Sequence, residues 1–279
     1  MLRAVRQPGA AAEERCVSVA VGCVPIVGVL PAGPRLLDAL HGLLVGGVES
    51  ACLRLSGGGF GPFGYVIPAV STDGEHAAFY SSVFRPEGVT RLDAAAVTVG
   101  WREGRAWFHC HGVWTEADGR RGCGHVLPEE TVIASPVSVD GSGIVGGRFV
   151  VRADAETGFS LFVPEASGAA WPAGGRRGVA LRLAPNQEIG VALAEVSRRT
   201  GFARATVRGG VGSIIGAKFV SAAAIDGFAT ELLVRDGVLR PEPALDVVIV
   251  DLEGRIGEGR LVAGENAVLM TFEAVLEEV

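Results

Sequence analysis

Short apolar or alternating blocks, separated by glycine, proline and small polar clusters, run along nearly the whole of this chain. CVSVAVG (16–22), PIVGVL (25–30), AAFYSSVF (77–84), AAVTVGW (95–101), RAWFHCHGVW (105–114) and TVIASPVSV (131–139) have the β-branched and aromatic content of strands. The first two read as separate buried strands ending at a Pro/Gly turn. Apolar residues recur at helical spacing near 34–45 and 187–200, with Pro34 and Gln187 in the expected first turns. One convincing helix in each half, against so many strands, predicts an α+β fold with a mainly antiparallel sheet in each half.

The blocks also repeat in order, which is the pattern of an internal duplication. PIVGVLPAGPRLLDALHGLL (25–44) has the shape of GVALRLAPNQEIGVALAEVSRR (178–199): an apolar strand, a turn, then an amphipathic helix. VESACLRLSGGGFGPFG (48–64) parallels FARATVRGGVGSIIG (202–216), with Gly58, Gly59 and Gly61 on Gly209, Gly210 and Gly212. TEADGRRGCGHVLPEETVIASPV (115–137) parallels VDLEGRIGEGRLVAGENAVLMTF (250–272), with Gly119 on Gly254 and Gly124 on Gly259. The expected organisation is a first domain over 16–165, a linker over 166–177 and a second domain over 178–279. Within ASGAAWPAGGRRG, Trp171 is expected to tack the linker onto a domain face.

Composition supports this reading and removes others. Two hundred and seventy-nine residues with 41 glycines, 14 prolines and only 20% charged residues exclude disorder, coiled coil and collagen. A formal net charge of −6, with both halves acidic, disfavours a broad nucleic-acid-binding face, because such faces work by neutralising phosphates. Five cysteines at irregular spacing do not form a secreted disulfide framework, and a reducing cytoplasm fits them better. Residues 16–34 carry no charge and, behind Arg3, Arg6 and Arg15, mimic a signal sequence or a short membrane span. Three prolines in that stretch and Glu13 and Glu14 upstream speak against both, so no membrane partner is expected. Gly59-Phe60-Gly61-Pro62-Phe63-Gly64 matches G-x-G-x-x-G literally, but Pro62 and the following YVIPAV promise a strand where a dinucleotide site needs a helix.

The candidate chemistry lies in the histidines. Three of the five fall within 17 residues, in Phe108-His109-Cys110-His111-Gly112 and Gly124-His125. On a strand, residues i and i+2 share a face, so His109 and His111 project together. The segment Thr115 to Gly119 reads as a turn, so the strand carrying His125 returns antiparallel beside them. Three readings stay open on these residues: a surface strand without metal, a closed site completed by Cys123, and an open three-histidine site for zinc or a similar divalent transition metal. The open site is the one adopted. Cys110 points the other way, into apolar surroundings.

FHCHGVWTEADGRRGCGHV (108–126) resembles the His-x-His, polar turn and Gly-His signature of the PPC (plants and prokaryotes conserved; DUF296) domain, and the strand, helix and glycine-loop run before it is similar too. The resemblance covers about 25–140 and again 178–279, so the chain looks like tandem PPC domains. It implies trimers and a metal held by His109, His111 and His125. It also brings a DNA-binding label, which transfers poorly, because no Arg-Gly-Arg-Pro core is present. In the second copy Ala244, Asp246 and Arg260 fall where the first has the three histidines, so that copy is expected to be metal-free, with Asp246 and Arg260 paired instead. An open metal site points to a metal-dependent enzyme of hydrolase or lyase type, acting on a small anionic metabolite. Glu116 and Asp118 are the nearest carboxylates in sequence for proton transfer, followed by Glu129 and Glu130, and Arg54 is the candidate for holding an anionic substrate. His41 and His76 read as ordinary residues at the solvent edge. A non-catalytic, DNA-associated PPC assembly is the alternative.

Overall fold

In the computed structural model, which describes residues 2–171, 174–240 and 242–279, about half of the chain is strand. The first half contains β1 (Cys16–Leu30), α1 (Leu36–His41), β2 (Ser50–Ser56), the two-residue strands β3 (Gly59–Phe60), β4 (Tyr65–Val66), β5 (Pro68–Ala69) and β6 (Phe79–Tyr80), then β7 (Thr90–Arg102), β8 (Arg105–Thr115), β9 (Arg121–Val126), β10 (Ile133–Ser135) and β11 (Val137–Val145). A hairpin of β12 (Gly147–Ala153) and β13 (Ser160–Ala166) follows. The second half contains β14 (Arg176–Leu183), α2 (Ile189–Thr200), β15 (Ala205–Ile214), β16 (Thr230–Leu239), β17 (Pro243–Asp251), β18 (Ile256–Arg260) and β19 (Val268–Glu278). No helix among the described residues is long and apolar enough to cross a membrane.

The two halves pair their strands in the same order. In the first, β1, β11, β2, β7, β8 and β9 are successive antiparallel neighbours. In the second, β14, β19, β15, β16, β17 and β18 are. The ladders join through β1, whose residues Cys16–Cys23 pair with β14 while Gly22–Leu30 pair with β11. The fold is therefore α+β and overwhelmingly antiparallel, as its periodicity predicts.

Strand alternation sorts the side chains into layers. Ala95, Val97 and Val99 of β7, with Phe108, Cys110 and Trp114 of β8, pack with Leu36 and Leu40 of α1. Leu232 and Val234 of β16, with Phe272, Ala274 and Leu276 of β19, pack with Leu193 and Val196 of α2. The opposite faces of the two sheets meet in a middle layer that includes Ala96, Val113, Val211, Leu233 and Val248. The histidines and their partners occupy this middle layer.

Several sequence expectations are corrected. CVSVAVG and PIVGVL form one 15-residue strand, because the β14 ladder ends at Cys23 and Pro25 lies beyond it, where β1 is an edge on that side. Helix α1 spans six residues instead of the predicted 34–45; it is followed by hydrogen-bonded turns and by Gly46 and Gly47 at positive φ. In α2, Gln187 lies before the helix, and Glu188 is the N-cap, accepting from the Val191 amide. Arg176 and Arg177, assigned to the linker, begin β14. Pro172 and Ala173 of that linker lie outside the described residues, while Trp171 packs against Gly22, where an added Cβ would stand 3.1 Å from the indole. The glycine loop makes a strand crossing: a Cβ on Gly58 (φ 62°) would stand 2.1 Å from the Pro136 carbonyl oxygen.

The sheets are also tied by a polar cluster. Buried Glu277 accepts hydrogen bonds from Ser142 (2.5 Å), Arg208 (2.7 Å) and Arg176 (2.8 Å). Burial opposes its charge, but these donors outweigh burial and hold the carboxyl below its ordinary titration range. Because the folded-state pKa is lowered, the stabilisation is present above the unfolded value, roughly 4.3, and is lost as pH falls through the folded value. Glu277→Gln should cost about 2–3 kcal/mol at neutral pH, with the exposed Arg176 arm contributing least. In thermal melts the gap between wild type and variant should narrow below about pH 4.

Candidate metal centre

β8 presents His109 and His111 to the middle layer by simple alternation, the face opposite Phe108 and Cys110. The turn after Thr115 returns the chain as β9, and the ladder places His111 directly across from His125. His109 Nε2 lies 3.0 Å from His111 Nε2, and His111 Nε2 lies 3.3 Å from His125 Nδ1. Among the described residues this is the one group of three potential metal ligands whose donor atoms all lie within 4.8 Å of one another.

The second half orients the rings. His111 Nδ1–H donates to the Leu232 carbonyl (2.8 Å), and His109 Nδ1–H donates to Glu273 Oε2 (3.0 Å). A carbonyl can only accept, so the proton of neutral His111 sits on Nδ1 and its lone pair on Nε2. The carboxylate imposes the same tautomer on neutral His109. With both rings neutral, two Nε2 lone pairs face each other at 3.0 Å, a contact that a proton on His109 or a cation between the rings relieves. Nitrogens each about 2.0–2.1 Å from a tetrahedral zinc stand roughly 3.3 Å apart, close to the separations found here. The donor set fits a divalent metal, and the Nδ1 hydrogen bonds are the outer-shell contacts that metal-binding imidazoles make.

Burial, reinforced by the neighbouring histidines, pushes His111 well below its ordinary pKa and His125 down to about 3. Burial also opposes charge on His109, but the Glu273 carboxylate outweighs it and the net shift is upward. Glu231, on β16, places Oε2 3.0 Å from His111 Nε2. Burial raises its carboxyl to about 7, against the opposing influence of His109.

Over His109 and His125 lies a cavity of about 220 Å³. Glu231 and Glu273 reach its wall, together with Tyr80, whose ring lies 5.2 Å from that of His125. Sequence reasoning did not single out either glutamate. Their signal is present, however: each is an acidic residue flanked by apolar ones, in TELLV (230–234) and VLMTFEAVL (268–276).

Of the residues singled out from sequence, the three histidines come together and the others do not join them. Glu116 is five residues beyond His111, roughly 17 Å along an extended strand. It is buried, accepting from Tyr65 Oη (3.4 Å) and Arg120 (2.6 Å). Asp118 is exposed in the turn and accepts the Arg120 amide. Arg54 pairs with Asp140 (3.3 Å) and Asp236 (3.6 Å) and lines a different cavity. Glu130 pairs with Arg85, and His76 with Asp73. Cys123 stands two pairs further along the β8–β9 ladder than His125, opposite Val113 and packed among Ala96, Leu233 and Val248; burial pushes its thiol pKa up. It is not part of the ligand group.

In the second half, Asp246 stands across from Arg260, the register that places His111 across from His125. Its ion pair is not with Arg260. Arg235, at the register shift between Val234 and Asp236, donates to both Asp246 oxygens (3.0 and 3.1 Å) and to Glu258 (2.7 Å).

No protein-family model and no curated protein matches the chain. Among solved structures, similar ones include a plant- and prokaryote-conserved (PPC) protein from Pyrococcus horikoshii, at 16% identity and a TM-score of 0.41, covering 51% of this chain and 93% of that one. A metal-containing protein from Archaeoglobus fulgidus gives 16% identity and a TM-score of 0.40, covering 51% and 94%. A candidate DNA-binding protein from Ralstonia eutropha JMP134 gives 17% identity and a TM-score of 0.38, covering 49% and 88%.

Proposed function

We propose that this chain is a tandem PPC-type protein that holds one divalent transition metal, zinc by donor preference, on His109, His111 and His125, and uses it for hydrolase- or lyase-type chemistry on a small molecule. The observation that carries the reading is the convergence of three imidazole nitrogens, two of them with tautomers set by Glu273 and the Leu232 carbonyl, beneath a cavity. A purely structural zinc site has four protein ligands and needs no cavity. The matching pairing order of the two halves supports the duplication, with the second copy's ligand positions given over to other residues.

Bound there, such a metal lowers the pKa of a water toward about 7 or polarises a carbonyl oxygen. Glu273 and the Leu232 carbonyl hold the two Nδ1 protons, which keeps both Nε2 atoms directed inward. Glu231, buried on the cavity wall beside His111, is placed to hold or pass a proton and takes the role expected of Glu116 and Asp118. The reading includes a cytoplasmic location, supported by five free cysteines, and assembly of three chains, for which exposed Val27 and Val29 offer an apolar edge on β1. The acidic net charge disfavours nucleic acid as a partner.

Cobalt(II) substitution tests the open site. The visible spectrum of the cobalt protein should shift when acetohydroxamate is added. A spectrum indifferent to added ligand, or one with a thiolate charge-transfer band from Cys123, would contradict it.

A further inference from the structure

The cavity walls indicate what the site accepts. Phe79, Tyr80, Trp107, Phe159 and Phe162 supply flat apolar surface. Phe159 and Phe162 come from the β12–β13 hairpin and Phe79 and Tyr80 from β6, and the second-half pairing order contains no counterpart of either element. Among the described residues one arginine and no lysine reaches this cavity: Arg102, at the end of β7, with its guanidinium 4.9 Å from the centre of the Trp107 ring. Arg102 makes no ion pair and no side-chain hydrogen bond among the described residues, whereas the other cavity-lining charges, Glu231 and Glu273, face the histidines. A guanidinium stacked on an indole keeps its donor edge free for a carboxylate.

Size limits the ligand further. An apolar cavity of roughly 150 Å³ holds a benzene molecule. At about 220 Å³, this one has room for a single six-membered ring with small polar substituents.

From these features we infer that the cavity binds a monocyclic aromatic carboxylate. The ring lies among the aromatic side chains, the carboxylate meets Arg102, and a second oxygen function on the ring faces the histidines. This ligand class rests on the metal-site reading only at its inner end; the ring and the carboxylate are recognised by the protein alone.

Isothermal titration calorimetry with 4-hydroxybenzoate, its neutral isostere 4-hydroxybenzyl alcohol, and succinate tests the inference on the full chain, before and after chelation. 4-Hydroxybenzoate should bind at least about tenfold more tightly than the alcohol, the worth of one charge-assisted pair, and more tightly than succinate, which keeps a carboxylate but lacks the ring. Arg102→Gln should erase the preference over the alcohol while leaving metal content unchanged. Phe159→Ala should weaken both aromatic ligands. After chelation the preference should persist at lower affinity. A protein that holds no metal yet shows this pattern would refute the metal reading and leave the ligand class standing. Equal or tighter binding of succinate, no saturable binding of 4-hydroxybenzoate, or an Arg102→Gln variant with its preference intact would overturn the inference.

Discussion

The double variant His109→Ala, His111→Ala should purify without bound metal, where wild type carries about one divalent ion per chain. Removing two of three imidazoles leaves His125 alone, and a single neutral imidazole does not retain a transition metal through purification. The loss should also appear as lowered stability. A ligand that binds only the folded state stabilises it by about 2.7 kcal/mol at a concentration one hundred times its Kd. Adding zinc should therefore raise the melting temperature of chelated wild type and leave the double variant unmoved. His109 and His111 lie on the middle-layer face of β8, away from the α1 core, so the variant should still fold. Metal analysis and melting curves with and without zinc together check the expectation.

The second large effect concerns a residue from the other half of the chain. Glu273→Gln should weaken metal affinity about 10- to 100-fold, the usual loss when an outer-shell partner of a metal-binding histidine is replaced. Glu273 is fully buried, and its carboxylate lies 3.0 Å from His109 Nδ1. The amide keeps an acceptor for that proton but removes the negative charge that raises the basicity of the ring. The variant should fold and should retain His111 and His125 in place. Competition against a chromogenic chelator measures the affinity, and an unchanged value would show that Glu273 only packs there.

Short-range features of this centre are readable from residue order. His109 and His111 share a face because strand side chains alternate, and five turn residues are enough to bring His125 back beside them. The opposite orientation of Cys110 follows from the same alternation. Glu231 and Glu273 are different, because their contact with the histidines depends on two sheets stacking face to face across more than a hundred residues of chain, which no local periodicity encodes. Each was visible only as an acidic residue in an apolar strand, a pattern that also fits Glu277, whose partners are arginines.

The fold shows the same division. Strand blocks and the α2 helix are local and were recoverable, since apolar spacing determines them. The length of β1 was not, because whether Pro25 breaks a strand depends on where the β14 ladder ends, a long-range fact. The expected Asp246–Arg260 pair failed for a similar reason: cross-strand neighbours were placed correctly, but the register shift in β16 gives Arg235 better access to Asp246. Nearness in sequence does not bring Glu116 or Asp118 to the histidines, because strand rise separates Glu116 from His111 by roughly 17 Å.

X-ray absorption spectroscopy at the metal edge of the purified protein, with metal content measured on the same sample, examines the three-histidine centre itself. One metal per chain should be found, with imidazole nitrogen scattering at about 2.0–2.1 Å and no sulfur in the first coordination sphere. A metal-free protein, or a sulfur scatterer at about 2.3 Å placing Cys123 among the ligands, would contradict the open three-histidine centre.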